Sequence, residues 1–141
     1  MAKYAAQCRC GETSITLSAE PVAQLVCHCV DCQKVTGNDF TQIAFFLPDG
    51  CEPKGAFDEV TMPGGSSHPK TYYNCPKCGS CLYATVSVLK GQVGVVAEQI
   101  QQPFEFKPKF HVWTSEKAEG VEVASDALQF PRGPNKPPHL V

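Results

Sequence analysis

No apolar run in this sequence approaches the ~20 residues that a membrane span needs. Charge is also scarce. Charged residues make up 18% of the chain, below the ~25% typical of soluble domains. The formal net charge is −2, so the basic stripe that marks a nucleic-acid surface or an anionic-membrane surface is missing. The first residues, Met1-Ala2-Lys3-Tyr4-Ala5-Ala6-Gln7-Cys8, lack the apolar stretch of a secretory leader. These features argue against a membrane protein, a zinc ribbon that binds nucleic acid, and a secreted disulfide framework. They favour a chain of the cytoplasm.

With 141 residues the chain has the length of about one domain and a modest core. Eleven glycines and twelve prolines suggest many turns between short strands. Alternation of polar and apolar residues predicts a strand over Thr13–Ser18, and an apolar run predicts another over Thr41–Leu47, stopped by Pro48-Asp49-Gly50. Further strands are expected at Ala23–Val26, Thr71–Tyr73, Leu82–Leu89, Gln92–Ala97 and Lys109–Thr114. Two short helices are expected, Val30–Thr36 and Ser125–Phe130, with a loop over Met62–Pro69. The expectation is a mainly β domain over residues 1–130. A Pro-rich, flexible tail follows over 131–141, where four of the twelve prolines fall.

What the sequence has in excess is cysteine. Nine in one short chain, an odd number, fit metal ligation in a reducing compartment better than a disulfide framework. Seven fall in three groups: Cys8-x-Cys10, Cys27-His28-Cys29-x-x-Cys32 and Cys75-x-x-Cys78-Gly79. In extended chain, residues two apart share a face. Cys8 and Cys10 can therefore grip one ion together, and so can Cys27 and Cys29, with His28 turned away. Cys75-Pro76-Lys77-Cys78-Gly79 has the form of a tight turn that brings two thiolates to one tetrahedral zinc.

Ligand counting separates two sites. Cys8, Cys10, Cys75 and Cys78 make a closed four-thiolate zinc site that supports folding. Cys27, Cys29 and Cys32 leave the fourth tetrahedral position open, the pattern of a catalytic zinc. Two singletons leave an alternative. Cys51 or Cys81 could close the middle group, and the chain would then be a non-catalytic, zinc-stabilised β-rich module for a protein partner.

Cys8-x-Cys10-Gly11, Cys27-His28-Cys29-x-x-Cys32-Gln33-Lys34-x-Thr36-Gly37 and Cys75-x-x-Cys78-Gly79 together resemble the glutathione-dependent formaldehyde-activating enzyme (GFA) family, which also includes centromere protein V. The stretch Phe106-x-Pro108-x-x-His111-Val112-x-Thr114 is similar to that family as well, and the likeness runs from about Cys8 to Trp113. The resemblance implies a β-tent-type fold, with a structural zinc on Cys8, Cys10, Cys75 and Cys78. It implies a more labile catalytic zinc on Cys27, Cys29 and Cys32. It further implies a carbon–sulfur lyase, or S-(hydroxymethyl)glutathione synthase, that condenses glutathione or a related thiol with formaldehyde or another small aldehyde. A homodimer is compatible with this reading.

The chain departs from the family pattern at Tyr73-Asn74 before Cys75, at Cys81, and after Trp113, where residues 115–121 lack a tryptophan. Three thiolates on one zinc leave a net charge of −1, which donors such as Lys34 or His28 would have to offset. Glutathione is itself anionic, and Arg9, Lys34, Lys70, Lys77 and Lys109 are the candidate cations.

Overall fold

The computed structural model describes residues 3–62, 69–86 and 92–131. Residues 63–68 of the expected Met62–Pro69 loop, the far end of the Leu82–Leu89 strand and nearly all of the tail lie outside those residues. The architecture is mainly β, with one α-helix and short 3-10 turns.

Among the described residues, eleven strands form two sheets: β1 (Tyr4–Gln7), β2 (Ser14–Leu17), β3 (Ala23–Cys27), β4 (Thr41–Phe46), β5 (Cys51–Lys54), β6 (Asp58–Met62), β7 (Lys70–Asn74), β8 (Cys81–Val86), β9 (Val93–Val96), β10 (Phe110–Val112) and β11 (Leu128–Gln129). The smaller sheet has the order β1-β2-β5, and the larger runs β11-β10-β3-β4-β9-β8-β7-β6. Pairing is antiparallel except at β10, which lies parallel to both β3 and β11.

The period-2 alternation of β4 shows how the large sheet divides the interior. Ala44 and Phe46 face one core, where Ile15 and Leu17 of the small sheet meet Leu82, Val93 and Val95. Phe45 faces a second core with Leu25, Tyr72, Val96, Phe110, Val112 and the cysteines of the middle group. Gly94 permits this packing, since a Cβ there would stand 2.9 Å from the Phe45 ring.

The one α-helix among the described residues, α1 (Val30–Thr36), begins and ends for local reasons. Cys29 is its N-cap, with extended backbone and a side chain that accepts from the Cys32 N–H, the role usually taken by Ser or Asp. Asp31 sits in the first turn, favourable to the helix dipole. Gly37 closes the helix in the left-handed region (φ 74°) and donates to Gln33 O.

The expected helix at Ser125–Phe130 is corrected. The chain there turns and then forms β11, whose Leu128 and Gln129 pair with Phe110 and His111. Both residues of β11 are exposed, so the segment gives no helical face to the core, and the parallel pairing with β10 satisfies its backbone instead.

Candidate metal centres and active site

The first cysteine group is built by two turns. Cys8 ends the extended run that follows β1, and Gly11 donates to Cys8 O at 3.1 Å. Cys75 follows β7, and Gly79 donates to Cys75 O at 2.8 Å with φ of 74°, a conformation that favours glycine. The two turns meet. The Cys10 sulfur lies 3.6 Å from both Cys8 and Cys75, and all four sulfurs lie within 4.8 Å of one another. Cys8 and Cys75 are buried, while Cys10 and Cys78 reach the surface. Hydrogen bonding from Ser80, whose Oγ is 3.0 Å away, holds the Cys78 thiol down at about 5.

The second group lies where β3 runs into α1. Cys27 is the last residue of β3, Cys29 caps the helix and Cys32 lies in its first turn. All three are buried. Cys32 donates to Cys27 at 3.5 Å and Cys27 to Cys29 at 3.4 Å, while the Cys32 amide also donates to Cys29 at 3.3 Å. The negative charge therefore concentrates on Cys29. Bonds from Cys27 and Cys32, aided by the Lys70 charge, bring it down to about 2. The same bonds and burial push Cys27 well above the ordinary thiol range.

Both sets suit a thiophilic ion. Zinc with sulfur ligands at ~2.3 Å in a tetrahedron places its sulfurs about 3.8 Å apart, close to the 3.4–3.6 Å contacts seen here. The two groups could thus hold metal ions, consistent with zinc. Among the described residues, no other His, Cys, Asp or Glu joins either set within 4.8 Å. Cys51 starts β5 and donates to Leu47 O at 3.4 Å. Cys81, buried at the start of β8, donates to Tyr83 O at 3.7 Å, and its burial pushes the thiol up to about 12.

The cation at the second group is Lys70. Its Nζ lies 3.1 Å from Cys29 Sγ and 3.7 Å from Asp31 Oδ2. Burial opposes its charge, but the three cysteines, Cys29 foremost, hold it above the ordinary lysine range. Arg9, Lys34 and Lys109 are exposed, and Lys77 pairs with Glu12 at the surface. The donors seen on the sulfurs of this group are thus not the expected Lys34 or His28: the hydrogen bond to Cys29 Sγ comes from Lys70.

Tyr72 was not visible as a site residue from composition or spacing. It follows Lys70 by two positions on β7 and so shares its face. Its hydroxyl lies 3.3 Å from Cys32 Sγ, and burial followed by the cysteine charges keeps it protonated as a donor.

His28 turns away from the sulfurs, as the alternation suggested. Its Nε2 lies 2.9 Å from Nδ1 of His111 on β10, and the rings stack at 5.2 Å. Gln33 ties this region together, donating to His28 O and Glu116 O at 2.9 Å each. Glu116 in turn accepts from the Val30 amide at 2.8 Å.

Residues 3–116 match the family model described as glutathione-dependent formaldehyde-activating enzyme. A search of curated protein sequences finds no significant match. Among solved structures, the chain is similar to a crystal structure of a Rhodobacter sphaeroides protein, with 16% identity and a TM-score of 0.55. That likeness covers 89% of this chain and 98% of the other, and it speaks to the fold alone.

Proposed function

Since the chain belongs to the glutathione-dependent formaldehyde-activating enzyme family, we propose that it joins glutathione or a related thiol to formaldehyde or another small aldehyde. The product would be the S-(hydroxymethyl) adduct, and the enzyme a carbon–sulfur lyase working in the synthetic direction. The observation that carries this reading is the group of three buried thiols, Cys27, Cys29 and Cys32, which no further His, Cys, Asp or Glu joins within 4.8 Å among the described residues. A zinc ion bound there would supply a fourth position at which a substrate thiol is held as thiolate. Cys8, Cys10, Cys75 and Cys78 would hold a second, structural zinc.

The residues of the chain do the rest. The helix N-cap geometry fixes Cys29, while Tyr72 and Lys70 offset the charge that accumulates on the sulfurs. Holding thiol and aldehyde together replaces a bimolecular encounter with an oriented one. The new bond joins the thiolate sulfur to the carbonyl carbon. The carbonyl π pair moves to oxygen, which then takes a proton from water. The nine free cysteines suit the reducing cytoplasm, where such a thiol would be abundant. Among the described residues, no helix is long and apolar enough to cross a membrane.

The test is turnover of glutathione and formaldehyde by the zinc-loaded protein, followed by the NMR signal of the hydroxymethyl carbon. Cys29→Ser should fall to the uncatalysed rate while its far-ultraviolet circular dichroism stays unchanged. Full turnover in that variant would refute the assignment.

A further inference from the structure

We propose that Lys70 is a catalytic residue whose ammonium receives the aldehyde oxygen as the carbon–sulfur bond forms, with Asp31 positioning it. The proposal rests on the thiol–aldehyde reading given above.

Lys70 is placed with unusual care for a lysine. Its side chain is only 12% exposed, and that of Asp31 only 16%, although lysine is seldom buried without a specific partner. An ammonium carries three donors. One is directed to Cys29 Sγ, while Asp31 Oδ2 stands at ion-pair distance, 3.7 Å, which leaves donor capacity for an incoming oxygen. Asp31 belongs to α1, as does Cys32, while Lys70 and Tyr72 share one face of β7. Helix and strand therefore converge on the three thiols from two sides. The strand side brings both non-thiol donors, Nζ at 3.1 Å and the hydroxyl at 3.3 Å.

This arrangement matches a need of the reaction. When the thiolate attacks, charge leaves sulfur and appears on the former carbonyl oxygen. A cation held 3.1 Å from Cys29 Sγ stands beside the place a substrate thiol would take at this group and stabilises the charge where it arrives. Removing one donor to a developing oxyanion costs about 10²–10³ in kcat. The alkoxide is then protonated by water, and Lys70 keeps its own proton throughout.

The experiment compares zinc-loaded wild type with Lys70→Met, which keeps the stem but loses the charge, and with Lys70→Gln, which retains a donor. Zinc content and circular dichroism establish that each variant is folded and loaded. Two ligands are titrated by calorimetry: glutathione, and S-(carboxymethyl)glutathione, whose carboxylate places an oxyanion next to the sulfur. Expected is a fall in kcat of about 10²–10³ for Lys70→Met. Its loss of affinity for the carboxymethyl compound should exceed its loss for glutathione by about tenfold, and Lys70→Gln should fall between. Equal losses for both ligands, or turnover within about threefold of wild type in a folded variant, would overturn the role of Lys70. Failure of zinc-loaded wild type to bind glutathione would instead remove the underlying reading, and this proposal with it.

Discussion

Replacing Cys75 by Ser tests whether the four-thiol group holds the fold together. Cys75 is 1% exposed, and its sulfur reaches Cys10 at 3.6 Å. The group links the turn between β1 and β2 to the turn between β7 and β8, so its loss disconnects the two sheets at one end. Structural zinc in small finger domains contributes about 10–16 kcal/mol of apparent binding free energy. A whole domain is stable by only about 5–15 kcal/mol. Serine is a poor zinc ligand, and losing even half of the lower figure would cost about 5 kcal/mol. At about 2–4 °C per kcal/mol for a chain near this size, Tm should fall by about 10–20 °C or the protein should fail to fold.

The control is Cys29→Ser, where serine remains a good N-cap for α1 and the four-thiol group is untouched. Its Tm should stay within about 5 °C of wild type. Thermal melts by circular dichroism, with zinc per chain measured by plasma emission, would decide. Two zincs and an unchanged Tm in Cys75→Ser would refute a structural role for the group.

Three further outcomes are expected. Mild EDTA should remove one zinc, from Cys27, Cys29 and Cys32, while the circular dichroism spectrum persists; loss of both zincs together, with unfolding, would contradict the division into two kinds of site. Leu82 is fully buried in the core between the sheets, so Leu82→Ala should cost about 3–5 kcal/mol, read as a Tm decrease with zinc content unchanged. Burial lowers the pKa of His28 and of His111, so the unfolded chain binds more protons than the folded one once pH drops below about 6.5. Stability from the pair is present above that pH and is lost as pH falls, by at most about 1.4 kcal/mol per pH unit for each imidazole. Melts at pH 7.5 and 5.0 should show it, with a smaller difference in His111→Asn.

The interior of the molecule was legible in the sequence, and its margins were not. Strands β2, β3, β4 and β7–β10 alternate or run apolar because both sheets bury them. The four strands without a sequence signal, β1, β5, β6 and β11, are the four edges of the two sheets. All residues of β6 except Met62 are exposed, and β5 carries Pro53, which an edge tolerates because its N–H side is free. Such segments bury too little to need a pattern. The same logic explains the site. Cys-x-Cys and Cys-x-x-Cys spacings are local, so the two thiol groups could be assembled from the sequence. Lys70, Tyr72 and His111 reach the site through strand order and register, which no spacing along the chain encodes. Five cations were candidates, and only the placement of β7 beside α1 singles out Lys70.

The most direct test of the function is calorimetric titration of glutathione into the zinc-loaded protein, with Cys29→Ser as the control. Binding to wild type that disappears in the variant is the expected result, and it would place the thiol at the three-cysteine group. Absence of binding to a protein that carries two zincs, or equal binding in the variant, would contradict a thiol-activating role for Cys27, Cys29 and Cys32.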